Sequence, residues 1–417
     1  MMTQEENDRL TRVGKGTPMG ELMRRYWHAI ATTADLDNDP VRRVRILGEN
    51  LTLYRSESGE LGLVAERCPH RGAELAYGIP DTRGLRCPYH GWLFDKKGEC
   101  LEVPYDDRVH PENADKRRAK LGVQAYPVQE LGELIFAYLG PDPVPLLPRW
   151  DVLARPEFDH AAQIHVLPCN WLQCMDNSAD PHHFDYLHAA LGNYTLRKMG
   201  KPPAMKQQHH IKLAFDRFKY GFMKRRLLEG ESEDSDDWKV GHPLLIPTIL
   251  AVGNVHAPML QIRTPIDDTH TLHITYSTKR REVGVAPKPI SVVHERLFNE
   301  DGKIVPDSIP YQDMLAWVIQ GPITDRTQEH LMGSDTGVAL LRRMLNEALD
   351  AVEGGDDPIG VIRDPAENEP WISLHRETAA LQPFNNRYLA QFEYTVRAAQ
   401  DPKLNVGRDV IMRTAAE

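Results

Sequence analysis

The segment Cys68–Trp92 reads CPHRGAELAYGIPDTRGLRCPYHGW and contains two short Cys/His motifs. The first pairs Cys68 with His70, and the second pairs Cys87 with His90 after a gap of sixteen residues. One thiolate and one imidazole in each motif suit an iron–sulfur cluster in which one iron takes two Cys and the other takes two His. The segment therefore predicts an iron–sulfur site clamped between two short loops.

A structural zinc ion is the alternative, because two Cys and two His also satisfy zinc. Zinc sites more often place a Cys pair in one knuckle and a His pair in the other, whereas both motifs here are mixed. This layout favours iron–sulfur. The segment resembles the Rieske motif, and the resemblance implies that Cys68 and Cys87 bind one iron of a [2Fe-2S] cluster while His70 and His90 bind the other.

The composition excludes several function classes. The chain has 417 residues, enough for two or three domains, and its 60 acidic and 50 basic side chains give a formal net charge of −10. This balance argues against a nucleic-acid partner. The five Cys show no disulfide framework, which predicts a reducing compartment. No signal segment or membrane-length apolar run is visible, so we expect a cytoplasmic protein with no membrane partner.

Changes in hydrophobic period divide the chain into three parts. Residues 1–39 form a helical arm, with helix expected over 5–30, and residues 40–145 alternate as short strands of a small all-β domain. A Pro-rich connector at 140–148 leads to a larger domain over 150–417. In that domain we expect the following strands and helices: strands at 162–167, 208–215, 244–252, 259–265 and 271–278, and helices at 311–320 and 328–352.

A second group of potential metal ligands lies in residues 170–188, NWLQCMDNSADPHHFDYLH. Asp180 and His183 share one helix face, but His183 and His188 are five apart and do not share a face of a regular α-helix. Both reach one ion only if the helix is bulged or ends there, as helices often do at functional sites. Two His and one carboxylate form the non-haem Fe(II) site that binds O2. A polar helix face without metal is the alternative.

This segment resembles the catalytic helix of Rieske non-haem iron oxygenases, with Asn-Trp, Asp-Asn and then Asp-x2-His-x4-His. The resemblance implies that His183 and His188 bind the mononuclear iron and leaves His182 a supporting or structural role. A distant carboxylate would complete the site, from the candidates Asp185, Asp307, Asp313 and Asp325. Asp185 is too near in sequence, and Asp325 looks paired with Arg326. Asp313, seven residues before a Gln, resembles the ligand of the family's late helix, and we select it.

The resemblance also gives Asp180 a catalytic role, with Asn177 and Asn170 in support. In the family this Asp bridges an iron-ligand His and the Rieske His of a neighbouring subunit, here His183 and His90. A carboxylate that accepts N–H bonds from two ligand imidazoles orients both. Such a bridge requires a homo-oligomer, a trimer or hexamer. For each Asn, a helix-end amide without a chemical role is the alternative.

The segments 20–27 and 320–327 resemble one branch of the family, which includes the phthalate and phenoxybenzoate dioxygenases and the aromatic O-demethylases. The implied fold class is α+β, with an all-β Rieske domain joined to a helix-grip catalytic domain on an antiparallel sheet. The implied cofactors are the [2Fe-2S] cluster and mononuclear Fe(II). The chain has no Gly-rich dinucleotide fingerprint, which favours a separate NADH-dependent flavin/iron–sulfur reductase, with or without a ferredoxin.

The resemblance implies a terminal oxygenase that uses O2 and NADH-derived electrons to oxygenate an aromatic acid. Monooxygenation of a methoxy carbon would cause O-demethylation, while ring hydroxylation, including cis-dihydroxylation of the phthalate type, is the alternative. A Rieske electron-transfer protein is the alternative of another class and would leave the second site unexplained. An aromatic carboxylate needs an Arg, for which Arg225 and Arg226 are candidates and Arg263 a further one. Ordinary surface exposure is the competing explanation for them.

Overall fold

The structure is a computed structural model that describes residues 2–376 and 386–414. Its helices are α1 (Gln4–Thr11), α2 (Pro18–Met23), α3 (Thr33–Asn38), α4 (Pro104–Val109), α5 (Ala114–Arg118), α6 (Asp151–Ala154), α7 (Trp171–Ala179), α8 (Gly192–Lys198), α9 (Asp236–Lys239), α10 (Ile309–Val318), α11 (Thr336–Glu353), α12 (Asn386–Ala398) and α13 (Arg408–Thr414). A π-helix spans Phe184–Leu191.

The strands fall into four sheets. They are β1 (Trp27–Thr32), β2 (Val41–Ile46), β3 (Glu49–Arg55), β4 (Leu61–Ala65), β5 (Ile79–Asp81), β6 (Gly84–Arg86), β7 (Leu93–Phe94), β8 (Cys100–Glu102), β9 (Ala125–Tyr126), β10 (Val128–Leu131), β11 (Leu134–Tyr138), β12 (Phe158–Leu167), β13 (His210–Phe218), β14 (Gly221–Leu228), β15 (His242–Leu245), β16 (Ile249–Gly253), β17 (Pro258–Pro265), β18 (Thr271–Arg280) and β19 (Ser291–His294).

The N-terminal arm is only partly helical. The helix expected over 5–30 is interrupted, and β1 takes its last part and pairs with β11. Thr17 caps α2 by accepting a hydrogen bond from the backbone N–H of Gly20, with Pro18 at the first helical position, so a new helix starts there. All residues of β1 are buried, and a strand buried on both faces shows no alternation by which to recognise it.

Two small four-stranded sheets surround the first metal motif. One has the order β2-β3-β4-β9 and the other β5-β6-β7-β8, and every pairing in both is antiparallel. The loop with Cys68 and His70 follows β4, while the loop with Cys87 and His90 joins β6 to β7. The short strands hold the two loops side by side.

An eight-stranded sheet, in the order β13-β14-β15-β16-β17-β18-β12-β19, forms the larger part of the molecule. It is antiparallel except for the parallel pair of β12 and β19. Two local predictions are wrong here. The strand expected at 244–252 is divided into β15 and β16 by a turn at Pro247, because Pro cannot continue the backbone hydrogen-bond ladder. The helix expected from 328 starts only at Thr336.

One buried core cluster joins the N-terminal arm, the part with the Cys/His loops and the part with the eight-stranded sheet. It contains Leu10 and Met19 from the arm, Leu51 from β3, Trp171 from α7 and Leu341 from α11. Helix α7, which leads into the second metal motif, is therefore fixed on several sides. The α+β prediction is confirmed. The predicted division 150–417 includes residues 377–385 and 415–417, which lie outside the described residues. Among the helices that are described, none combines the length and apolar composition needed to cross a bilayer.

Candidate metal centres and active site

The two loops of the first motif have the same backbone hydrogen bonds. The N–H of Gly72 donates to the carbonyl of Cys68 at 2.9 Å, and that of Gly91 donates to the carbonyl of Cys87 at 3.1 Å. Both glycines have a φ of 72°, a left-handed conformation that favours residues without a Cβ. The loops are thus two copies of one turn, and each presents its Cys at the start.

The four side chains of this motif converge at one tip. Cys68 and Cys87 are only 2% and 3% exposed, whereas His70 and His90 are exposed. The two His rings lie 4.5 Å apart between centroids, and the ring of Trp92 stacks on His70 at 4.6 Å. Burial, with the adjacent Cys87 thiol, raises the pKa of Cys68 to about 11. Two buried thiols and two outward imidazoles at one tip fit a [2Fe-2S] cluster with mixed ligands.

The second motif folds as predicted for a distorted helix. Helix α7 ends at Ala179, since Asp180 precedes Pro181 and the residue before a Pro is disfavoured in the α conformation. The π-helix follows, and its hydrogen bonds join residues five apart. His183 and His188 are also five apart, and their rings lie 5.0 Å apart between centroids. In a regular α-helix their side chains would diverge by about 140°.

Helix α10 brings Asp313 to these two histidines. Its Oδ1 lies 3.6 Å from Nε2 of His183 and 3.3 Å from Nε2 of His188, and the three potential ligand atoms lie within 4.8 Å of one another. This Oδ1 is buried and accepts no hydrogen bond from any residue that the structure describes. Burial opposes ionisation of Asp313, but His188 and His183 hold its pKa below the usual value. Two imidazoles and one ionised carboxylate fit Fe(II).

Gln312, which the sequence analysis missed, orients His188. Its Oε1 lies 2.8 Å from Nδ1 of His188, and its Nε2 donates to the carbonyl of Pro306 at 3.2 Å. Because the amide oxygen can only accept, Nδ1 of His188 carries the proton and Nε2 keeps its lone pair for a metal. Gly192 leaves room for this amide, since a Cβ there would lie 2.5 Å from Nε2 of Gln312. No spacing in the sequence marks Gln312 for this contact.

Asp180 lies on the Nδ1 side of the His183 ring. It accepts hydrogen bonds from the backbone N–H groups of His182 and His183, at 2.7 and 3.2 Å. Its Oδ2 lies 3.7 Å from Nδ1 of His183, which is the ring nitrogen that does not face Asp313. Burial acts to raise the pKa of Asp180, but His183 lowers it overall. The carboxylate is therefore placed to hold His183.

The two asparagines have different surroundings. Asn177 lines the cavity above His183 and His188. Asn170 does not reach it: it caps α7 by accepting a hydrogen bond from Leu172 N–H at 3.1 Å, and its amide donates to the carbonyls of Thr11 and Asp268. Its oxygen caps the helix, and its amide ties the start of the helix to α1 and to the turn after β17. The structure thus gives Asn170 a helix-capping position away from this cavity.

Two other carboxylates considered as the third iron ligand, Asp185 and Asp325, contact other parts of the chain. Asp185 is buried and engaged by His210 at 2.7 Å, and Asp325 caps a turn by accepting from Thr327 N–H at 3.0 Å. The pairing expected between Asp325 and Arg326 is wrong: Arg326 is buried and donates to Asp176 at 2.8 Å. This difference reflects packing across the chain that local sequence does not show.

A cavity of about 460 Å³ opens above His183, His188 and Asp313. Its lining includes four basic residues, Lys224, Arg226, Arg387 and Arg397, and Asp313 is its only acidic one among the described residues. With a cation at Asp313, the cavity favours an anionic guest. Lys224 donates to the carbonyl of Ser178 at 2.8 Å, and burial lowers its pKa to about 8.

The arginines predicted to bind a substrate carboxylate lie in different places, and only one of them lines the cavity. Arg226 lines the cavity, stacks over Phe184 at 4.6 Å and pairs with Asp237 at 2.9 Å. Arg225 points away, toward Asp216 at 2.5 Å, because successive side chains of β14 alternate. Arg225 therefore does not line this cavity. Arg263 is buried behind the cavity wall, 5.5 Å from the Trp317 ring, and donates to Gln261.

Helix α12, which the sequence analysis left without a role, forms one wall of the cavity. It contributes Arg387, Gln391 and Tyr394 among the lining residues. Gln391 donates to Gln163 Oε1 at 2.7 Å, and Tyr394 donates to the buried Glu295. These contacts attach the tail of the chain to the central sheet and place Arg387 beside the metal group.

Two family models match parts of this chain. Residues 26–127 match the Rieske [2Fe-2S] domain, and residues 294–375 match a family described as LigXa C-terminal domain like. The first match covers both Cys/His motifs. The second covers α10 with Asp313.

Curated relatives match over most of the chain. The oxygenase subunit of 5,5'-dehydrodivanillate O-demethylase from Sphingobium sp. is 39% identical over 90% of this chain and 88% of its own length. The alpha subunit of phenoxybenzoate dioxygenase from Ectopseudomonas oleovorans is 34% identical over 84% of this chain and 87% of its own length.

Solved structures share the fold at low sequence identity. NdmA of Pseudomonas putida CBB5 superposes with a TM-score of 0.59 at 19% identity, covering 80% of this chain and 93% of that one. Dicamba monooxygenase with non-heme iron and dicamba gives a TM-score of 0.54 at 18% identity, covering 80% and 98%. The likeness concerns the architecture of both parts.

Proposed function

Since this chain belongs to the Rieske non-haem iron oxygenases, we propose that it removes the methyl group of a methoxy-substituted aromatic carboxylate. It is the oxygenase component of a multicomponent system that needs a reductase or ferredoxin partner, and it uses a Rieske [2Fe-2S] cluster and mononuclear non-haem iron. An electron carrier of the Rieske type and a zinc-binding protein are thereby excluded.

We assign the cofactors to the residues described above. Cys68, His70, Cys87 and His90 would hold the [2Fe-2S] cluster within a domain at 40–145. The set His183, His188 and Asp313 would hold the mononuclear iron within a domain at 150–417. When bound, this iron supplies the activation of O2. The protein's own part is to fix the tautomer of His188, to keep Asp313 ionised and to place the substrate in the adjoining cavity.

The observation that carries the substrate class is the charge of the cavity wall. Four basic residues line a cavity of about 460 Å³, which the three proposed iron ligands also line. Arg226 and Arg387 both lie over the Phe184 ring, which itself contacts His188 at 4.7 Å between centroids. A carboxylate held at these two guanidinium groups would place the substrate beside Phe184, next to the proposed iron ligand His188. The relatives named for aromatic substrates support this class.

The proposed demethylation balances in atoms and in electrons. An aryl methyl ether, O2, two electrons and two protons give a phenol, formaldehyde and water. The electrons would come from an NADH-dependent flavin and iron–sulfur reductase, directly or through a ferredoxin. A relative named as an O-demethylase subunit favours this outcome over ring hydroxylation. Relatives named as dioxygenases make cis-dihydroxylation the second candidate.

The deciding experiment supplies the purified protein with NADH, a surrogate reductase and a panel of methoxybenzoates. We expect O2 uptake with one formaldehyde released per turnover, and no reaction with the methyl esters of the same acids. A cis-diol without formaldehyde would replace demethylation by dihydroxylation. No oxygenated product from any aromatic acid would reject the proposed substrate class.

Two adjacent arginines test the carboxylate contact. Arg226→Gln should raise the KM for the acid about 10–100-fold, the value of a lost charged hydrogen bond. Arg225→Gln is the matched control, because Arg225 lies on the same strand and faces away from the cavity. Equal effects of both substitutions would argue that the change acts through strand β14 and not through the substrate.

A further inference from the structure

The proposed demethylation leaves two polar side chains of the cavity wall, Gln391 and Tyr394, without a task. Both belong to α12 and follow Arg387 by four and seven residues, so all three lie on one face of the helix. Along the helix axis the two residues are about 6 and 10 Å beyond Arg387. They therefore line the cavity past the arginine that would hold the substrate carboxylate.

A buried carboxylate, Glu295, sets the orientation of both side chains. Glu295 is only 3% exposed and accepts hydrogen bonds from Tyr394 Oη and from Gln163 Nε2. Nε2 of His165 lies 3.5 Å from its Oε2. Burial acts to raise the pKa of Glu295, but His165 and these hydrogen bonds lower it overall. The carboxylate is therefore ionised at neutral pH, and an ionised carboxylate can only accept hydrogen bonds.

Tyr394 can consequently only accept a hydrogen bond from a guest in the cavity. A phenol has one O–H, and Tyr394 donates that hydrogen to Glu295. Burial and the neighbouring Glu295 raise the pKa of Tyr394, so the phenol keeps this hydrogen at neutral pH. Among the residues that the structure describes, none donates to the phenol oxygen. A lone pair of this oxygen is therefore left for the guest.

Gln391 is restricted in the same way through Gln163. Because Gln163 gives its Nε2 to Glu295, its Oε1 is the end that meets Gln391. The amide nitrogen of Gln391 donates to this oxygen at 2.7 Å and to Thr395 Oγ1 at 3.4 Å. The two ends of an amide are assigned from such a network, and here the charge of Glu295 fixes both amides. Gln391 thus keeps its oxygen for a guest, since no described residue donates to it.

The sheet side of the cavity offers hydrogen-bond donors instead. Gln261 of β17 lines the cavity in the opposite orientation, because its Oε1 accepts from the buried Arg263 and its amide nitrogen is left for a guest. Lys224 and Arg226 of β14 likewise carry only N–H donors. These side chains suit the oxygens of a guest, whereas α12 supplies acceptors for a guest's own O–H.

We propose that Gln391 and Tyr394 bind a hydroxyl group of the substrate, which is a methoxybenzoate with a hydroxyl at the ring end away from its carboxylate. The inference rests on the proposed function, in which Arg387 holds the carboxylate. A hydroxyl can donate to either oxygen, whereas a second methoxy group or a halogen has no hydrogen to donate. A guest that covers these oxygens without replacing the hydrogen bonds of water binds more weakly.

Binding without turnover tests the proposal. Calorimetric titration of the whole iron-loaded protein, without reductase, compares 4-hydroxy-3-methoxybenzoate with 4-fluoro-3-methoxybenzoate, in which fluorine replaces the hydroxyl. We expect the hydroxy acid to bind about 3–10-fold more tightly, the value of one hydrogen bond between neutral groups. The 4-amino acid also donates, so it should bind more tightly than the fluoro acid. Equal Kd values for the hydroxy and fluoro acids would overturn the proposal.

Substitutions on α12 locate the preference. Tyr394→Phe and Gln391→Leu each remove one acceptor, and together they should bring the Kd values of the hydroxy and fluoro acids to within about twofold. Tyr388→Phe is the matched control, since Tyr388 lines the same cavity but its oxygen accepts from Arg387. It should change the Kd of both acids equally, because both carry the carboxylate.

The outcomes separate this proposal from the proposed function. A full preference for the hydroxy acid in the double variant, with the Rieske absorption spectrum intact, would overturn the role of α12 alone. If the double variant loses that spectrum, an unchanged preference in both single variants would do the same. Failure of the wild-type protein to bind any of these acids would reject the proposed substrate class, and the present inference with it.

Discussion

At the scale of single residues, the site depends on which nitrogen of His188 carries its proton. Gln312 decides this, because its Nε2 already donates to Pro306 and only its oxygen can meet the imidazole. The neighbouring Asp313 then faces the unprotonated Nε2 at 3.3 Å. Two adjacent residues of α10 thus perform different tasks, one as a proposed ligand and one as the group that orients another ligand.

We expect Gln312→Leu to weaken Fe(II) binding about 10–100-fold, since loss of such an orienting partner typically costs that much. Iron analysis after dialysis should show the mononuclear iron lost, while the visible spectrum of the [2Fe-2S] cluster is unchanged. Gln320→Leu, an exposed amide on the turn after the same helix, is the control. Full iron content in dialysed Gln312→Leu would contradict the orienting role.

His183→Ala tests the proposed ligand set itself. We expect the wild-type protein to contain about three irons and two acid-labile sulfides per chain, and the variant to lose one iron and no sulfide. His209→Ala is the matched control, because His209 is exposed and contacts Asp185. A variant that loses sulfide as well would show a general loss of folding, and one that keeps every iron would remove His183 from the ligand set.

At the scale of elements, the metal sites are held by turns and helix ends. The two Rieske loops use one hydrogen-bond pattern twice, with Gly72 and Gly91 both in the left-handed region. Their surroundings differ, since a Cβ on Gly72 would meet nothing within 4 Å whereas one on Gly91 would lie 3.3 Å from Pro104. The same substitution should therefore have unequal effects in the two loops.

Gly72→Ala should destabilise its loop by about 1–2 kcal/mol through backbone strain alone. Gly91→Ala adds the contact with Pro104 and should bleach the Rieske absorption at a lower temperature. Gly14→Ala is the control, because Gly14 has no left-handed φ and open space around it. Equal bleaching temperatures for both loop variants would show that the contact with Pro104 relaxes.

A buried ion network fixes α7 against α11. Asp176 on α7 is 2.8 Å from both Arg326 and Arg342, and these arginines are almost fully buried. Burial acts to raise the pKa of Asp176, but the two arginines lower it overall. The stabilisation is therefore present above the unfolded pKa of about 3.9 and is lost as the pH falls toward the lowered value.

Asp176→Asn should lower the stability at pH 7 by about 3–5 kcal/mol, because it leaves buried arginines short of a partner. The gap between wild type and variant should narrow below about pH 4, as the wild-type carboxylate becomes protonated. Thermal unfolding at several pH values measures both effects. Asp350→Asn removes an exposed pair with Arg9 and is the control. A gap that stays constant at low pH would exclude the charge as its cause.

At the scale of the whole molecule, we propose that electrons pass between subunits of a trimer or hexamer. Asp180 lies at the rear of His183 with its side chain 23% exposed, so a neighbouring chain can reach it. His90 is exposed at the tip of the first motif. In the proposed assembly, Asp180 of one chain would bridge His183 to the exposed His90 of the next.

Mixed oligomers test this arrangement. His70→Ala removes the cluster's function from a chain and His183→Ala removes the mononuclear iron, so each variant alone should be inactive. Co-expressed at equal amounts, they should recover about a quarter of the wild-type activity, because in a closed ring a quarter of the junctions unite two intact centres. No recovery, with mixed oligomers verified by mass, would show that electrons stay within one chain.

How far the sequence could predict this molecule depends on the distance between the interacting residues. The α+β class was confirmed, and the two Cys/His loops and the distorted helix at His188 follow local spacing. The helix predicted over 5–30 failed where burial on both faces hides the pattern of β1. Arg225 lies on the face of β14 opposite Arg226, because side chains alternate along a strand. Asn170 serves as a helix cap, a use that local sequence permits as readily as catalysis.

By itself, the sequence determined the chemistry of the donor groups and the local turns that present them, since a few backbone dihedrals set the geometry within one loop. Only the tertiary structure decided which distant groups meet. It brought Asp313 and Gln312 to His188 and attached α12 so that Arg387 faces the cavity above the proposed iron ligands. These meetings depend on how the sheet, arm and helices pack, because contacts between distant parts of the chain leave no periodic signal in either segment.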